Sequence, residues 1–278
     1  MKFSVLMSVY GKDSAEDFQT ALESVTIEQS LRPSQVVIVQ DGVVPSVFDE
    51  IIEKIKQAMP DIEFSILKKP INEGLAAALN DGLAVCKYEW VARMDSDDIS
   101  TPDRFQKQLA FLECHHDVAV LGGAIAEFKT EIGDIDSERR VKTSHDEIVK
   151  MAKIRTPMNH VTVMYLKSAV LEVGGYSENF GKLEDYKLWV DLILAQKKLA
   201  NLDDVIVNVR IGNGFIARRS NKNEIRDWDM LQQYLLRGNM INRRQAFKNR
   251  IYIRVFTYMP AWMKKVAYKT LLRKKTSS

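Results

Sequence analysis

The sequence predicts an α/β fold in which a mostly parallel central sheet is flanked by helices. Two observations predict it: short β-branched or apolar runs alternate with segments of helical spacing through the first half of the chain, and polar stretches follow the apolar runs. The 278 residues suffice for one sizeable α/β domain with an appendage, or for two small domains. A content of 46% hydrophobic and 28% charged residues is typical of a folded globular protein.

The first half is predicted to consist of βαβ units. Strands are expected at 3–9, 36–39, 64–67 and 90–94, and helices at 15–28, 46–59, 74–85 and 101–114. Thr101 and Pro102 are a favourable N-cap and first-turn pair for the last of these helices. The acidic stretch DSDD at 95–98 therefore lies between the end of a buried strand and the start of a helix.

The second half alternates less regularly. Strand-like runs occur at 118–125, 161–165 and 205–210, and helices are expected near Glu147 and Tyr186. Ser144 and Glu147 have the spacing of a capping box for the first of these helices. Because no Pro/Gly/Ser-rich linker and no internal repeat is evident, we expect the second half to pack onto the first.

Cysteine usage and hydropathy limit the class of protein. Cys86 and Cys114 form no CxxC pair, and no cleavable apolar leader precedes them, so the sequence predicts a protein of a reducing cytoplasm in which both cysteines simply pack. No apolar run reaches the roughly 18 residues that a membrane span needs. We therefore expect a chain that does not cross a bilayer by itself.

Charge is distributed unevenly along the chain. No Asp or Glu follows Asp229, whereas 12 of the 40 Lys and Arg residues do, so residues 1–229 hold 28 basic and 37 acidic residues, a net charge of −9. Aromatic residues are interleaved with the cations of the tail, namely Tyr252, Phe256, Tyr258, Trp262 and Tyr268. This mixture is typical of a segment lying at an anionic membrane surface. Nucleic-acid binding, or a solvated helical pair packed on the body, are the alternatives.

Polar stretches follow the predicted strands at four places. They are SVY at 8–10, QDG at 40–42, NEG at 72–74 and DSDD at 95–98. Open α/β sheets bind ligands in the crevice beyond the carboxyl ends of their strands, so one crevice could use all four. Mg²⁺ or Mn²⁺ carrying a nucleotide diphosphate needs one or two carboxylates, which Asp95 and Asp97 could supply with help from Asp98. A polar turn that caps the next helix is the alternative.

The second and third stretches are weaker signals. Gly42 permits close backbone approach or positive φ, and the carboxylate of Asp41 could accept a hydrogen bond from a base N–H. An ordinary β-turn explains this pair equally well, and the stretch at 72–74 could be no more than a helix start.

Six stretches appear in a specific order and spacing. They are VLMSVYG, VVIVQDG, NEGLAAALNDGL, VARMDSDDISTPDRF, GGY at 174–176 and LEDYKLW at 183–189. Over about residues 1–215 the series resembles the GT-A glycosyltransferases of family 2, most closely the bacterial branch that builds O-antigen and exopolysaccharide repeat units, including the amylovoran-type enzymes. The resemblance implies a GT-A catalytic domain at 1–220, with a nucleotide-sugar half at 1–120 and an acceptor half at 121–220. The charge distribution predicts a basic amphipathic helical membrane-associating tail at 221–278.

The resemblance also implies roles for the matching positions. The nucleoside pocket would be lined by Ser8, Val9, Tyr10 and Asp41, with Asn72 and Gly74 shaping its wall. Ribose, diphosphate and Mn²⁺ or Mg²⁺ would be met by Asp95 and Asp97, with Asp98 in the metal shell and Arg93 near the sugar or phosphate. The commoner DDGS form of the second motif is replaced here by QDGV at 40–43, which leaves Asp41 as the only acid there.

A base is the remaining requirement. Transfer with inversion needs an acceptor hydroxyl that loses its proton while attacking the anomeric carbon, and a positioned carboxylate can take that proton. Glu184 and Asp185 match the Glu-Asp motif of the family, which implies that Asp185 is the base and that Glu184 binds or orients the acceptor. An acidic pair that only stabilises a helix N-terminus is the alternative.

His160, Arg218 and Arg219 complete the candidate site. His160 could hydrogen-bond the donor sugar or the acceptor, although a lone His in an apolar segment is more commonly a structural partner. Arg218 and Arg219 could close over the diphosphate, since arginine suits phosphate geometry, or could form a solvated basic loop.

The sequence therefore predicts a metal-dependent hexosyltransferase. The branch resembled implies transfer from UDP-Gal or UDP-Glc to a GlcNAc-ended undecaprenyl-diphosphate acceptor with a β1,3 linkage, by an enzyme held peripherally at the inner face of the bacterial plasma membrane. A sugar nucleotidyltransferase is one alternative, although SVYGKDS offers one glycine and one lysine where such an enzyme carries a glycine-rich basic loop. A catalytically inactive membrane-associated scaffold is the other.

Overall fold

A nine-stranded sheet forms the centre of the computed structural model, which describes residues 1–211, 222–260 and 263. The strand order is β3-β2-β1-β4-β8-β6-β9-β5, and β7 pairs with β6. The strands are β1 (Phe3–Val9), β2 (Gln35–Gln40), β3 (Glu63–Lys68), β4 (Trp90–Met94), β5 (Ile99–Ser100), β6 (Val118–Phe128), β7 (Glu138–Arg139), β8 (Met164–Leu166) and β9 (Lys198–Arg210).

Helices pack on both faces of the sheet. The α-helices are α1 (Ala15–Ser24), α2 (Val47–Ala58), α3 (Leu75–Val85), α4 (Arg104–Cys114), α5 (His145–Met151), α6 (Lys167–Glu172), α7 (Glu184–Leu194), α8 (Lys222–Arg237) and α9 (Arg243–Tyr258). Successive residues of β1 face opposite sides, so Met7 packs in the cluster of Phe18 and Phe105, whereas Leu6 packs in a second cluster with Leu79 and Trp189.

The first four strands run parallel, with β1 between β2 and β4. Val9 of β1 lies opposite Gln40 of β2, and Met7 lies opposite Met94 of β4. All of β2 and nearly all of β1 are buried, because helices cover both faces of a parallel sheet. The polar residues that follow these strands therefore meet at one edge of the sheet.

The sheet changes direction beyond β4. β8 is antiparallel to both β4 and β6, while β6 and β9 run parallel along their length. β5 directly follows the acidic stretch and pairs with β9, with Ile99 opposite Asn208. This pairing brings the end of β9 to the acidic stretch, so the second half of the chain contributes to the same edge.

Of the two C-terminal helices, α8 packs against the 3₁₀ helix Glu178–Leu183, and α9 packs on α8. Leu231, Leu235 and Ile241 form a third apolar cluster with Tyr186 and Val190 of α7. At least part of the predicted tail is thus helical and is packed on the acceptor half, while the boundary predicted at residue 220 stays a prediction.

Most predicted elements are present, and β1 and β4 have the predicted bounds. One capping prediction is wrong, and a second is right in position but not in its hydrogen bonds. The fourth helix begins at Arg104 after Asp103, because the Thr101 hydroxyl donates to the Asp103 carboxylate (3.0 Å) and does not cap the helix. Ser144 does precede α5, but its hydroxyl donates to Glu147 (2.9 Å) and accepts no backbone N–H.

Three further expectations need correction or completion. The run at 161–165 is only partly a strand, because a 3₁₀ helix occupies His160–Thr162 before β8 begins. Cys86 is buried as expected, but Cys114 is exposed at the end of α4. Within the described residues, no helix combines the length and apolarity that a membrane span requires.

Candidate active site

The acidic stretch begins where β4 ends. Carboxylate oxygens of Asp95, Asp97 and Asp98 all lie within 4.8 Å of one another. Hard divalent cations take oxygen ligands, so this donor set fits Mg²⁺ or Mn²⁺.

These carboxylates lie close enough to disfavour one another's ionisation. Burial raises the pKa of Asp97 to about 6, and the charges of Asp95 and Asp13 add to the rise. Burial also raises the pKa of Asp98 well above its usual range, again with contributions from its acidic neighbours. A bound divalent cation would favour the ionised form of both groups.

Arg93 places a positive charge beneath the acidic stretch. Its side chain is only 3% exposed and forms an ion pair with Asp95. Burial disfavours the cation, but the ion pair with Asp95 and the charge of Asp98 favour it, and the pKa of Arg93 is raised. The Arg93 Nε atom has no hydrogen-bond partner among the described residues. An unpartnered buried donor costs stability, and the contact of Arg93 with sugar or phosphate stays a prediction.

Two other arginines hold the acidic stretch in place. Arg104, which is fully buried, donates to the backbone carbonyl of Arg93 (2.8 Å), and burial lowers its pKa to about 9. Arg210 at the end of β9 donates its backbone N–H to Asp98 Oδ1 (2.8 Å) and its Nε–H to the carbonyl of Asp97 (3.2 Å). Both halves of the chain therefore support the acidic stretch.

Asp13 is a site residue that the sequence analysis missed. Its Oδ2 atom accepts the hydroxyl of Ser96 (2.8 Å) and the backbone N–H of Tyr10 (3.1 Å). Burial raises the pKa of Asp13, and the charge of Asp95 contributes to the rise. The loop after β1 is thereby tied to the acidic stretch. The available signal was an acid four residues after the strand end, within the motif SVYGKDS.

The predicted nucleoside wall is assembled around Asp41. Its two carboxylate oxygens accept the backbone N–H groups of Glu73 and Gly74, each at 2.9 Å, and its carbonyl accepts the side chain of Asn72 (3.1 Å). Gly42 has φ of +86°, and a Cβ there would lie 2.8 Å from the backbone nitrogen of Asn72. Asp41 therefore orders the loop before α3, and its contact with a base stays a prediction.

The other nucleoside candidates lie at the same edge. Ser8 is half-buried and Val9 is buried in β1, while Tyr10 is 42% exposed. Gly74, with φ of +94°, is the N-cap of α3. The exposed ring of Tyr10 is the part of this set most accessible to a ligand.

Glu184 and Asp185 occupy the first turn of α7. Asp185 Oδ1 accepts its neighbour's backbone N–H (2.6 Å), and Oδ2 accepts the Thr156 hydroxyl (3.4 Å). Glu184 is 9% exposed, and its Oε2 atom has no hydrogen-bond partner among the described residues. Burial raises the pKa of Glu184 to about 7, with a further rise from Asp185. The pair thus offers one solvent-accessible carboxylate and one buried acceptor.

His160 has a structural partner, a tyrosine hydroxyl, and its contact with a sugar stays a prediction. Its Nε2 atom lies 2.9 Å from the hydroxyl of Tyr176, and burial together with the charge of Arg93 lowers the pKa of His160 well below its usual range. Asn80 of α3 fixes Tyr176 by hydrogen bonds to its backbone carbonyl and N–H, both at 2.8 Å. Tyr176, the last residue of the GGY motif, therefore connects α3 to the acceptor half, a role that the sequence did not reveal.

The metal candidates and the base pair share one electrostatic environment. Burial is the main cause of the raised pKa values of Asp97 and Glu184, and the cation of Arg93 opposes the rise at both. The charge of Asp95 also acts on Glu184. The acidic stretch and Glu184 therefore both lie within electrostatic reach of Arg93. Arg218 and Arg219 lie outside the described residues.

A mostly parallel sheet with three carboxylates after a central strand, and an acidic pair within their electrostatic reach, is the arrangement of a GT-A nucleotide-sugar transferase. Residues 4–174 match the model of glycosyl transferase family 2, and the chain belongs to that family. The family and fold predicted from the sequence are thereby confirmed. Membership favours a glycosyltransferase over a sugar nucleotidyltransferase.

Several curated relatives align over most of the chain. An uncharacterised glycosyltransferase of Haemophilus influenzae is 39% identical over 99% of this chain and 100% of its own. The amylovoran biosynthesis glycosyltransferase AmsE of Erwinia amylovora is 35% identical over 81% of this chain and 82% of its own. The UDP-Gal:alpha-D-GlcNAc-diphosphoundecaprenol beta-1,3-galactosyltransferase of Escherichia coli is 32% identical over 98% and 97%.

Solved structures share the fold at low sequence identity. TarS 1–349 of S. aureus in complex with UDP-GlcNAc has a TM-score of 0.67 at 17% identity, over 98% of this chain and 77% of that one. The mannosyltransferase PcManGT of Pyrobaculum calidifontis in complex with GDP-Man and Mn²⁺ has a TM-score of 0.62 at 17% identity, over 93% and 70%.

Proposed function

We propose that this glycosyltransferase transfers galactose or glucose, with inversion, from a UDP-sugar to a GlcNAc-ended undecaprenyl-diphosphate acceptor, forming a β1,3 linkage in O-antigen or exopolysaccharide synthesis. The observation that carries the proposal is the group of three carboxylates directly after β4, in a chain whose residues 4–174 match glycosyl transferase family 2 and whose α7 begins with Glu184 and Asp185. Support for galactose and for the lipid-linked acceptor comes from the name of the E. coli relative at 32% identity.

On the donor side, Asp95, Asp97 and Asp98 would hold Mn²⁺ or Mg²⁺. The ion, when bound, would balance the charge of the departing nucleoside diphosphate. The chain's own contribution is to hold the three carboxylates together. The backbone N–H of Arg210 restrains Asp98, and the cation of Arg93 restrains Asp95. The backbone N–H of Tyr10 restrains their neighbour Asp13. Arg93 Nε–H can donate to a diphosphate or sugar oxygen in the same crevice.

On the acceptor side, Asp185 takes the proton of the attacking hydroxyl. The new bond joins the acceptor oxygen to the anomeric carbon, the bond to the diphosphate oxygen breaks, and the proton moves to the Asp185 carboxylate. Thr156 and the backbone N–H of Tyr186 orient that carboxylate. Glu184 accepts a hydrogen bond from an acceptor or donor hydroxyl through its unpartnered Oε2.

The defining experiment is a donor screen. UDP-Gal, UDP-Glc, UDP-GlcNAc and UDP-GalNAc are incubated with Mn²⁺ and a GlcNAc-diphosphate-lipid analogue, with EDTA as the control. We expect turnover of UDP-Gal or UDP-Glc that EDTA abolishes. Release of pyrophosphate from a nucleoside triphosphate would instead support a nucleotidyltransferase. Absence of UDP binding would reject the proposal.

Asp185→Asn tests the base directly. Asparagine keeps the shape of the side chain but takes up no proton, so transfer should fall by about 10²–10⁴-fold. Binding of the UDP-sugar, measured by calorimetry, should be unchanged. Near-normal turnover by this variant would remove Asp185 from the mechanism. Unchanged cellular glycan after replacement of Asp95, Asp97 and Asp185 together would support the scaffold alternative.

The proposed acceptor requires the enzyme to work at the cytoplasmic face of the plasma membrane. The basic segment 221–278 is the part of the sequence suited to that location, because cations and aromatic residues alternate in it without any acid after Asp229.

A further inference from the structure

One side of α9 exposes large apolar and aromatic side chains. Phe247 is 66% exposed, Ile251 44%, Tyr252 68%, Val255 55% and Tyr258 70%. At 3.6 residues per turn, these positions fall within about 140° of the helix circumference. We call this sector, together with the exposed cations Arg244 and Lys248 that lie inside it, the α9 face.

The α9 face is not needed to attach the helix to the body. The opposite side of α9 carries the attachment, where Ala246 is buried and Asn249 donates to the carbonyl of Lys153 and to Gln232, both at 2.8 Å. Arg254, at the margin, pairs with Asp229 of α8 (2.7 Å). Substitutions on the α9 face should therefore leave the packing of the helix intact.

The charge and the aromatic residues of the α9 face indicate what kind of surface binds it. The α9 face combines two cations with five apolar or aromatic side chains, and the sequence contains no acidic residue from position 230 to its end. Basic residues among Phe and Tyr side chains match the interfacial region of an anionic bilayer, where rings sit at the headgroup level and cations meet lipid phosphates. An acidic protein partner would account for the cations but not for the exposed rings.

The helix pair also connects the α9 face to the candidate base. Tyr234 of α8 donates its hydroxyl to Asp191 Oδ1 (2.6 Å), and Lys187 pairs with the other oxygen of the same carboxylate (2.5 Å). Both Asp191 and Lys187 belong to α7, which begins with Glu184 and Asp185. A surface bound to α9 is thereby held in a fixed relation to the acceptor side of the site.

We propose that the α9 face docks the enzyme on an anionic lipid surface and orients the acceptor side of the site toward lipid-linked substrate. The docking itself stands on the exposed residues and their charge, whereas the orientation rests on the function proposed above. The two parts can fail separately, and the experiment keeps them apart.

The test compares two matched double variants of the full chain. Phe247→Ser/Tyr252→Ser removes two rings of the α9 face, and Ile132→Ser/Leu171→Ser removes two comparably exposed apolar side chains elsewhere. Co-sedimentation uses vesicles of phosphatidylcholine with or without phosphatidylglycerol. We expect the first variant to lose at least tenfold in partitioning onto phosphatidylglycerol vesicles and the second to match the wild type. Arg244→Gln/Lys248→Gln should lose several-fold, with a weaker salt dependence.

Several outcomes would overturn the docking proposal. Equal vesicle binding by all variants would show that another part of the chain binds the vesicles or covers the α9 face. A wild-type dimer that only Phe247→Ser/Tyr252→Ser dissociates, without vesicle binding, would assign the face to a second copy. Binding to RNA that depends on Arg244 and Lys248, with no vesicle binding, would assign it to nucleic acid.

Transfer assays separate this proposal from the proposed function. Phe247→Ser/Tyr252→Ser should turn over a water-soluble GlcNAc-diphosphate acceptor like the wild type and lose at least fivefold on the same headgroup embedded in vesicles. Equal loss on both acceptors would contradict the orienting role. If the wild type transfers to neither acceptor but its vesicle binding depends on the α9 face, the proposed acceptor fails and the docking stands.

Discussion

The two halves of the crevice hold their charged groups in different ways. In the donor half, backbone N–H groups fix the carboxylates: Asp41 accepts two of them, Asp98 one and Asp13 one. In the acceptor half, Asp185 also accepts one backbone N–H, but the polar contact of α7 with α8 is made by side chains, because Asp191 accepts the hydroxyl of Tyr234 and pairs with Lys187 of its own helix. Every residue except proline offers a backbone N–H, whereas a side-chain contact requires a particular residue type. The acceptor half should therefore be the more sensitive to single substitutions outside the site itself.

The largest expected effect lies in the donor half. Asp97→Asn removes a negative charge from the metal candidates, so transfer should fall by about 10³-fold, equivalent to roughly 4 kcal/mol of transition-state stabilisation. Higher Mn²⁺ concentrations should restore part of the activity. Asp117→Asn, which removes an exposed carboxylate paired with Lys198, is the control and should leave transfer unchanged. Equal activity of both variants would remove Asp97 from the site.

The next effect concerns the buried carboxyl of the acceptor half. Burial raises the pKa of Glu184 to about 7. The folded protein therefore binds this proton more tightly than the unfolded chain does, and stability falls as the pH rises from the ordinary value toward 7. Glutamine does not titrate, so Glu184→Gln should become more stable than the wild type above pH 7, by up to about 3 kcal/mol.

Thermal unfolding between pH 5 and pH 8 would measure that difference. Glu178→Gln, on the exposed surface of the 3₁₀ helix before α7, is the matched control. A stability difference between Glu184→Gln and the wild type that stays constant with pH would show that Glu184 titrates normally.

The sequence predicted the donor half more completely than the acceptor half, for a physical reason. Buried parallel strands are continuous β-branched runs, so β2 was predicted to within one residue of each end. In the acceptor half, a mixed sheet interrupts the pattern, and the 3₁₀ helix at His160–Thr162 was missed. Tyr176 was seen only as part of a motif, because its bonds to Asn80 and His160 join residues distant in sequence.

In the candidate site, too, some residues could be placed from the sequence and others only from the structure. Residues directly after a strand, such as Asp95 and Asp41, could be placed by register alone. Asp13 could not, because its role depends on a loop that folds back to Ser96. The buried cation of Arg93 was expected near the ligand, but its influence on Glu184 is a tertiary effect with no local sequence pattern.

Asp41→Asn tests the backbone-based support of the donor half. Asparagine keeps one acceptor but turns an NH₂ group toward a backbone N–H, so the loop before α3 loses one of its two hydrogen bonds to this side chain, and the other is no longer charge-assisted. We expect the free energy of unfolding to fall by about 2 kcal/mol and the free energy of UDP binding to weaken by a similar amount. Asp61→Asn, an exposed acid before β3, is the control. Lower stability with normal UDP affinity would limit Asp41 to a structural role.

The smallest expected effect tests whether the hydrogen bond between Tyr234 of α8 and Asp191 of α7 contributes to catalysis. Tyr234→Phe removes the hydroxyl that Asp191 accepts at 2.6 Å and leaves its pair with Lys187 in place. The loss of one hydrogen bond to a buried carboxylate should cost about 1 kcal/mol of stability. If the α8–α7 contact positions Asp185, kcat should fall about threefold to tenfold with the KM for the UDP-sugar unchanged.

Tyr252→Phe is the matched control for Tyr234→Phe. Tyr252→Phe removes a hydroxyl from the exposed α9 face and should leave kcat on a soluble acceptor unchanged. A stability loss in Tyr234→Phe with wild-type kcat would mean that α7 keeps its position without α8, and the two halves would then differ in sequence pattern alone. A fall in kcat without a change in donor KM would instead make the C-terminal helix pair part of the acceptor site, although neither helix carries a reacting group.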